Sequence, residues 1–276
     1  MNYQWYPGHM TKAKRMMEEN IKLIDLVIEI VDARIPISSR NPDIDSLAVN
    51  KARIILLNKS DLADDKITNQ WINYFNENNI YCLKLNSRNN SGIKQVNGLI
   101  MTACADKIER NKQRGILNRP IRAMVVGIPN VGKSTFINSY AGKASAKTGN
   151  KPGVTKGKQW IKLNKNVELL DTPGILWPKF DNQEVGKRLA MIGSMNDEIL
   201  NVEELAIDTI KYIYSDTRTL PTVSSALSFT DAVAPESANS ETDACGATAE
   251  KAAVMTSAPF AGKASGNASA GRRRAV

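Results

Sequence analysis

Short apolar runs rich in β-branched residues recur along the first half of the chain: LVIEIVDA at 26–33, ARIILLN at 52–58, IYCLKLN at 80–86 and RAMVVG at 122–127. Runs of this length with few polar interruptions predict strands buried on both faces, as in a parallel sheet. Between them the period lengthens to that of a helix. Thr68 is placed to cap a helix that buries Trp71, Ile72 and Phe75, and Ile93, Val96, Ile100 and Ile108 mark another after Gly92. Strands alternating with helices predict an α/β sheet.

The two ends read differently. In MTKAKRMMEENIKL, residues 10–23, Met10, Ala13, Met17 and Ile21 share one helical face while Lys12, Lys14, Arg15 and Lys22 fall largely elsewhere, which predicts a basic amphipathic helix. After the extended segment WIKLNKNVELLD, 160–171, helical spacing returns, with Asp181 and Glu184 placed as a capping box and Val202, Leu205, Thr209 and Ile213 following. From about Tyr214 the chain is dominated by Ala, Ser, Thr and Gly, too few large apolar side chains to offset the entropy of ordering. The expected organisation is a basic arm at 1–22, an α/β domain at 23–180, a partial helical domain at 181–213 and a disordered tail at 214–276.

Charge narrows the class of partner. The 276 residues carry a net charge of +9. Acidic and basic side chains balance within 214–276, so the surplus belongs to the organised part. A basic surface suits a polyanion such as nucleic acid. The terminal Arg272–Arg274 cluster reads as a solvated charge run rather than an RNA contact. No run reaches the ~18 apolar residues of a membrane span, and a cytosolic protein is expected. Cys82, Cys104 and Cys245 are scattered and odd in number, matching neither a disulfide framework nor a zinc spacing.

The strand ending at Val126 runs into GIPNVGKS, 127–134, and then into the helix-like TFINSYAG. This is the strand, GxxxxGK[ST], helix order of a phosphate-binding loop. Glycines let the backbone N–H groups around Asn130, Val131, Gly132, Lys133, Ser134 and Thr135 turn inward on phosphate, at a helix N-terminus whose dipole favours anions. Lys133 would reach the β and γ phosphates and Ser134 would bind Mg²⁺. A glycine turn with a surface lysine is the bland alternative.

NKSD, residues 58–61, follows the apolar strand 52–57 and chooses the base. The Asp61 carboxylate can accept from the guanine ring N–H and exocyclic amine, donors adenine does not present together, so adenine would leave it unpaired. Lys59 can lay its stem over the base, Ser60 lies between these readers, and Asn58 can tie the base loop to the phosphate loop. Alone, NKSD could equally be a helix-capping turn. Asn86 and Ser87, at the end of the run 80–86, could offer backbone N–H groups to the guanine oxygen or simply form a turn. DTPG, 171–174, supplies Asp171 for the water shell of Mg²⁺ and Gly174 for the γ-phosphate. PGVT, 152–155, lies in a stretch rich in Gly, Lys and Ser, suited to a mobile switch, with Thr155 as the second hydroxyl ligand of Mg²⁺.

The order NKSD, NS, GIPNVGKS, PGVT, DTPG resembles the circularly permuted GTPases, and WYPGHMTKAKR, 5–15, is similar to the signature of the ribosome biogenesis GTPase A group. The resemblance spans roughly residues 1–213. It implies a circularly permuted P-loop domain that binds GTP and GDP with Mg²⁺. It further implies GTP hydrolysis in late maturation of the large ribosomal subunit, with that particle and its rRNA as partners and no role for DNA or a membrane.

Ordinary small GTPases place a water-orienting glutamine after the DxxG glycine. Ile175 stands there in this chain and cannot hydrogen-bond water. His9, the only histidine, falls in the matching PGHM and is the candidate catalytic group, because imidazole can orient water or accept its proton. A structural or RNA-contacting histidine is the other reading. By the same resemblance Asn130 is a candidate K⁺ ligand. Relatives finish with a compact helical domain, which the pattern after Ile213 does not continue. A rival function follows: an RNA-binding module that holds GTP without useful turnover.

Overall fold

In the computed structural model, residues 5–116, 119–142, 159–163 and 166–217 are described. All belong to the unit Met1–Pro235; almost all of the tail read at 214–276 lies outside the described residues. The elements in chain order are α1 (Gly8–Asn20), β1 (Leu26–Asp32), α2 (Asp43–Leu47), β2 (Ala52–Asn58), α3 (Asp65–Glu77), β3 (Tyr81–Lys84) and α4 (Ile93–Ala103). There follow α5 (Ala105–Gln113), β4 (Ile121–Val126), α6 (Lys133–Ala141), β5 (Gln159–Lys162), β6 (Val167–Asp171), α7 (Gln183–Met191) and α8 (Val202–Thr217).

The strands form one sheet in the order β3-β2-β1-β4-β6-β5. All neighbours are parallel except β5, which runs antiparallel to β6. The extended segment 160–171 is therefore two strands of a hairpin. Strands β1 and β4 occupy the middle, and every residue of β1 is buried, which is why its sequence is apolar apart from Glu29, paired with Arg40 and Arg53, and the terminal Asp32. Parallel pairing gathers the C-terminal ends of β1, β2, β3, β4 and β6 along one edge, where ligands of such sheets bind. Register sets Asp32 beside Asn58 and Val125 beside Asp171.

Local chemistry explains the helix boundaries and corrects two of the expected caps. Asp64, not Thr68, caps α3: its carboxylate accepts from the Ile67 N–H at 2.9 Å, while buried Thr68 donates its hydroxyl back to the Asp64 carbonyl. Trp71 and Phe75 are buried on that helix, whereas Ile72 is only half-buried. Asn182 rather than Asp181 caps α7, accepting from the Glu184 N–H at 2.8 Å. The helix expected after Gly92 breaks at Cys104 into α4 and α5. Helix α8 continues to Thr217, past Ile213 where its pattern was read to fade.

The N-terminal helix packs on the core rather than standing apart. Met10 and Met17 are fully buried and Ala13 nearly so, on the face the sequence marks. A Lys14–Asp43 ion pair of 2.8 Å joins α1 to α2, and a cleft between these helices is lined by Met17, Ile44, Leu47 and Ile175.

Candidate functional site

The loop from Gly127 to Lys133 turns on backbone angles that favour glycine. Gly132 has φ +98°, and an added Cβ would strike the Asn58 side-chain nitrogen. Asn130, the loop's one described non-glycine residue at positive φ, sits at +57°. Its side-chain amide donates to the Gly193 carbonyl at 2.6 Å, tying the loop to the segment just beyond α7. Lys133 opens α6 and folds back, donating to the Gly127 and Ile128 carbonyls at 3.1 and 2.7 Å. Ser134 and Thr135 follow in the first turn, both half-buried.

DTPG leans directly on this loop. Thr172, fully buried, donates to the Val125 carbonyl, and the Ile175 N–H donates to the Gly127 carbonyl at 3.3 Å. A Cβ at Gly174 would lie 2.8 Å from both the Lys133 Nζ and the Pro129 Cα, so only glycine permits this approach. Burial pushes the Lys133 ammonium below the usual lysine range, opposed by Asp171; burial pushes the Asp171 carboxyl up, opposed by Lys133 and the Thr172 N–H. Asp171 is 1% exposed and its Oδ1 accepts no hydrogen bond among the described residues. A buried carboxylate oxygen without a donor is costly, and it is the chemistry expected of a group that receives the water shell of a cation.

Asn58 connects the base-reading motif to both neighbouring loops. Its Nδ2 donates to the Val131 carbonyl at 2.8 Å, and its Oδ1 accepts from the Ser87 N–H at 3.0 Å and the Ser87 hydroxyl at 2.9 Å. The three motifs expected around one nucleotide thus meet. Lys59 is left-handed, φ +59°, and the Ser60 N–H donates to the Leu85 carbonyl, fixing the turn that carries Asp61 to the exposed rim.

The role expected of Asn86 and Ser87 needs correction. The Asn86 N–H donates to the Ser91 carbonyl at 3.0 Å and the Ser87 N–H is taken by Asn58, so neither is left for a guanine oxygen. Asn86 Oδ1 instead accepts from the Arg88 N–H at 2.8 Å and the Asn89 N–H at 3.4 Å, shaping the loop. Thr155 and the PGVT stretch lie outside the described residues.

Several residues at the site carry no motif. Asp32, fully buried at the end of β1, accepts from Arg34 through Nε and a terminal nitrogen, both at 2.8 Å, and from Lys59 Nζ at 2.9 Å. Asn41 donates to the Ile175 carbonyl at 3.4 Å, and Met10 Sδ accepts the Leu176 N–H at 3.4 Å. Ile175 itself is 1% exposed, so the residue in the glutamine position belongs to the core. His9 is exposed at the start of α1, with Trp5 edge-on at 6.1 Å, and its neighbour Met10 touches the segment immediately after DTPG. The one sequence signal for Asp32 is an acid closing a strand whose only other polar residue is Glu29; nothing in the string names its partners.

Residues 122–226 match the family model described as 50S ribosome-binding GTPase. The Ribosome biogenesis GTPase A of Priestia megaterium is 51% identical over 216 residues, 78% of this chain and 75% of that protein. That of Bacillus cereus is 51% identical over 213 residues, covering 77% and 72%. Among solved structures, the GNP-bound YlqF of T. maritima superposes with a TM-score of 0.54 at 28% identity, covering 78% of this chain and 79% of that one. With NKSD ahead of GIPNVGKS and both drawn to one edge of the sheet, the chain belongs to the ribosome biogenesis GTPase A family of circularly permuted GTPases.

Proposed function

We propose that the chain is an assembly factor for the large, 50S, ribosomal subunit that binds and hydrolyses GTP as a nucleotide-controlled switch in late maturation. The observation that carries the nucleotide site is the Asn58 side chain, which joins Val131 of the phosphate loop and Ser87 of the neighbouring loop in one set of buried hydrogen bonds. The ribosomal role is supported by relatives with half their aligned residues in common that are called Ribosome biogenesis GTPase A.

In this reading Asp61 takes the two guanine donors, Lys59 covers the base, and the Asn89 N–H, held by a long 3.4 Å bond to Asn86 Oδ1, is a donor for the guanine oxygen. Lys133 and the backbone N–H groups of Asn130–Thr135 hold the phosphates, and Gly174 meets the γ-phosphate. Ser134 and Thr155 bind Mg²⁺ directly and Asp171 binds its water shell; the unpartnered Asp171 Oδ1 suits that role. When bound, Mg²⁺ neutralises phosphate charge. Asn130 donates its amide to Gly193, leaving Oδ1 for a K⁺ ion. Buried Ile175 leaves water positioning to His9, on a helix whose Met10 rests against Leu176, just after DTPG. Ribosomal RNA is the polyanion matched by the +9 charge, and the cytoplasm is where the particle matures.

The test is GTP turnover with and without large-subunit particles, with binding to immature and mature particles followed across a salt series. Stimulated turnover and salt-weakened binding are expected. Binding without stimulation would favour the rival, an RNA-binding module that holds GTP without useful turnover. No particle binding would remove the ribosomal role.

A further inference from the structure

We propose that Asp32 is a positioning residue of the guanine site: it holds the ammonium end of Lys59 where the lysine stem covers the base, and holds Arg34 away from the Asp61 carboxylate. The proposal rests on the assignment of Asn58–Asp61 as the base reader.

Three observations converge on Asp32. It is fully buried, and its backbone N–H donates to the buried Ser39 hydroxyl at 3.0 Å, which fixes the backbone at the end of β1. That carboxylate is shared by two cations, Arg34 in a two-point contact and Lys59 through a single bond, each at 2.8 to 2.9 Å. Both cations lie at the base reader. Lys59 is itself the second residue of NKSD, in a left-handed backbone conformation that only a surrounding structure sustains. A terminal nitrogen of Arg34 and the Lys59 ammonium meet on the same Asp32 oxygen, which brings the guanidinium to the motif that carries Asp61.

Long cationic side chains carry high rotamer freedom, and a charged partner at a fixed point removes it before ligand arrives. Asp32 does this for Lys59 by pinning the far end of the stem. Its effect on Arg34 concerns selectivity. A guanidinium released beside Asp61 would pair with it and compete with the guanine ring N–H and amine for the same two oxygens. Held in the two-point contact with Asp32, Arg34 has its Nε and one terminal nitrogen engaged and the plane of its guanidinium fixed. Asp32 therefore keeps Asp61 available to read the base while never touching it.

The experiment uses the full chain, a fluorescent GDP analogue, and competition by GDP, inosine diphosphate and ADP. Inosine lacks the exocyclic amine, so the GDP to inosine diphosphate affinity ratio reports the second hydrogen bond to Asp61. The unmodified chain comes first: no preference for GDP over ADP would sink the base-reader assignment itself, separately from the role of Asp32. In Asp32→Asn, GDP affinity should fall by roughly tenfold or more, and the ratio should fall towards one. Adding Arg34→Gln to Asp32→Asn should restore part of the ratio by removing the competing cation. A structural role alone would weaken both nucleotides equally, so an unchanged ratio in a folded Asp32→Asn overturns the proposal. Should Asp32→Asn show no cooperative melt, Lys59→Met serves: it keeps the stem but cannot be pinned. It should lose about tenfold in GDP affinity, and undiminished affinity overturns the proposal.

Discussion

Asn58 Nδ2 donates to the Val131 carbonyl at 2.8 Å, although the two residues stand 73 positions apart in the chain. One stands at the end of β2 and the other in the loop after β4, with β1 between them in the sheet. The bond therefore spans the edge that a nucleotide would occupy and sets the spacing between base reader and phosphate loop. Reversing the order of the two motifs in the chain does not disturb it.

Asn58→Ala should weaken GDP binding on the order of a hundredfold, since it strands the Val131 carbonyl and the Ser87 N–H at roughly 1–3 kcal/mol each. Titration with a fluorescent GDP analogue measures this. Retained affinity would show that the two loops hold their spacing without the asparagine.

Asp61→Asn should exchange guanine for xanthine preference, because an amide presents a donor where the carboxylate only accepts. GDP and xanthosine diphosphate compete in one assay. An unmodified chain that binds ATP as well as GTP would end the assignment of Asp61.

His9→Ala should lower particle-stimulated GTP turnover by roughly a hundredfold or more while leaving GTP affinity nearly intact. Turnover in saturating particles is the measurement, because the exposed imidazole can meet the nucleotide once the particle repositions the start of α1. An unmodified rate would pass the role to K⁺ at Asn130, another side chain or ribosomal RNA.

Ile175→Gln places an amide in the core cleft beside Met17 and Ile44 and should cost roughly 2–3 kcal/mol of stability. It should not rescue His9→Ala, since the side chain at 175 points into the core. Urea unfolding and turnover of the double variant decide the matter; recovered turnover would restore 175 as a water-positioning site.

The stability contribution of Asp32 should depend on pH in a defined direction. Burial raises its carboxyl, but the Arg34 hydrogen bonds and the charges of Lys59 and Arg34 outweigh that and hold it below its ordinary 3.8. A depressed folded value stabilises the fold above the unfolded value and is lost as pH falls through the folded one. Urea unfolding of the unmodified chain and of Asp32→Asn should therefore show a gap at pH 7 that narrows below about pH 4. A gap that holds or widens on acidification would contradict the charge pairing.

The sequence by itself determined strands β1 to β4, the glycine turn after β4 and the class of nucleotide. Those signals are local: apolar runs of strand length, glycines where Gly127–Lys133 must turn, an acid in NKSD whose two oxygens match guanine. It also placed Met10, Ala13 and Met17 on the buried face of α1, because a helical period is legible without knowing what the helix meets. The tertiary structure decided the partners. Asp64 rather than Thr68 capped α3 because the backbone is still extended at Asp64, ψ 130°, while Thr68 already lies one turn inside the helix. Asn58 took the Ser87 N–H that spacing had offered to guanine, and Asp32 drew Arg34 and Lys59 together. A buried polar group must find a donor or acceptor, so its presence in an apolar run is visible in the sequence. Which group satisfies it depends on strand order and register, set by the packing of the whole sheet.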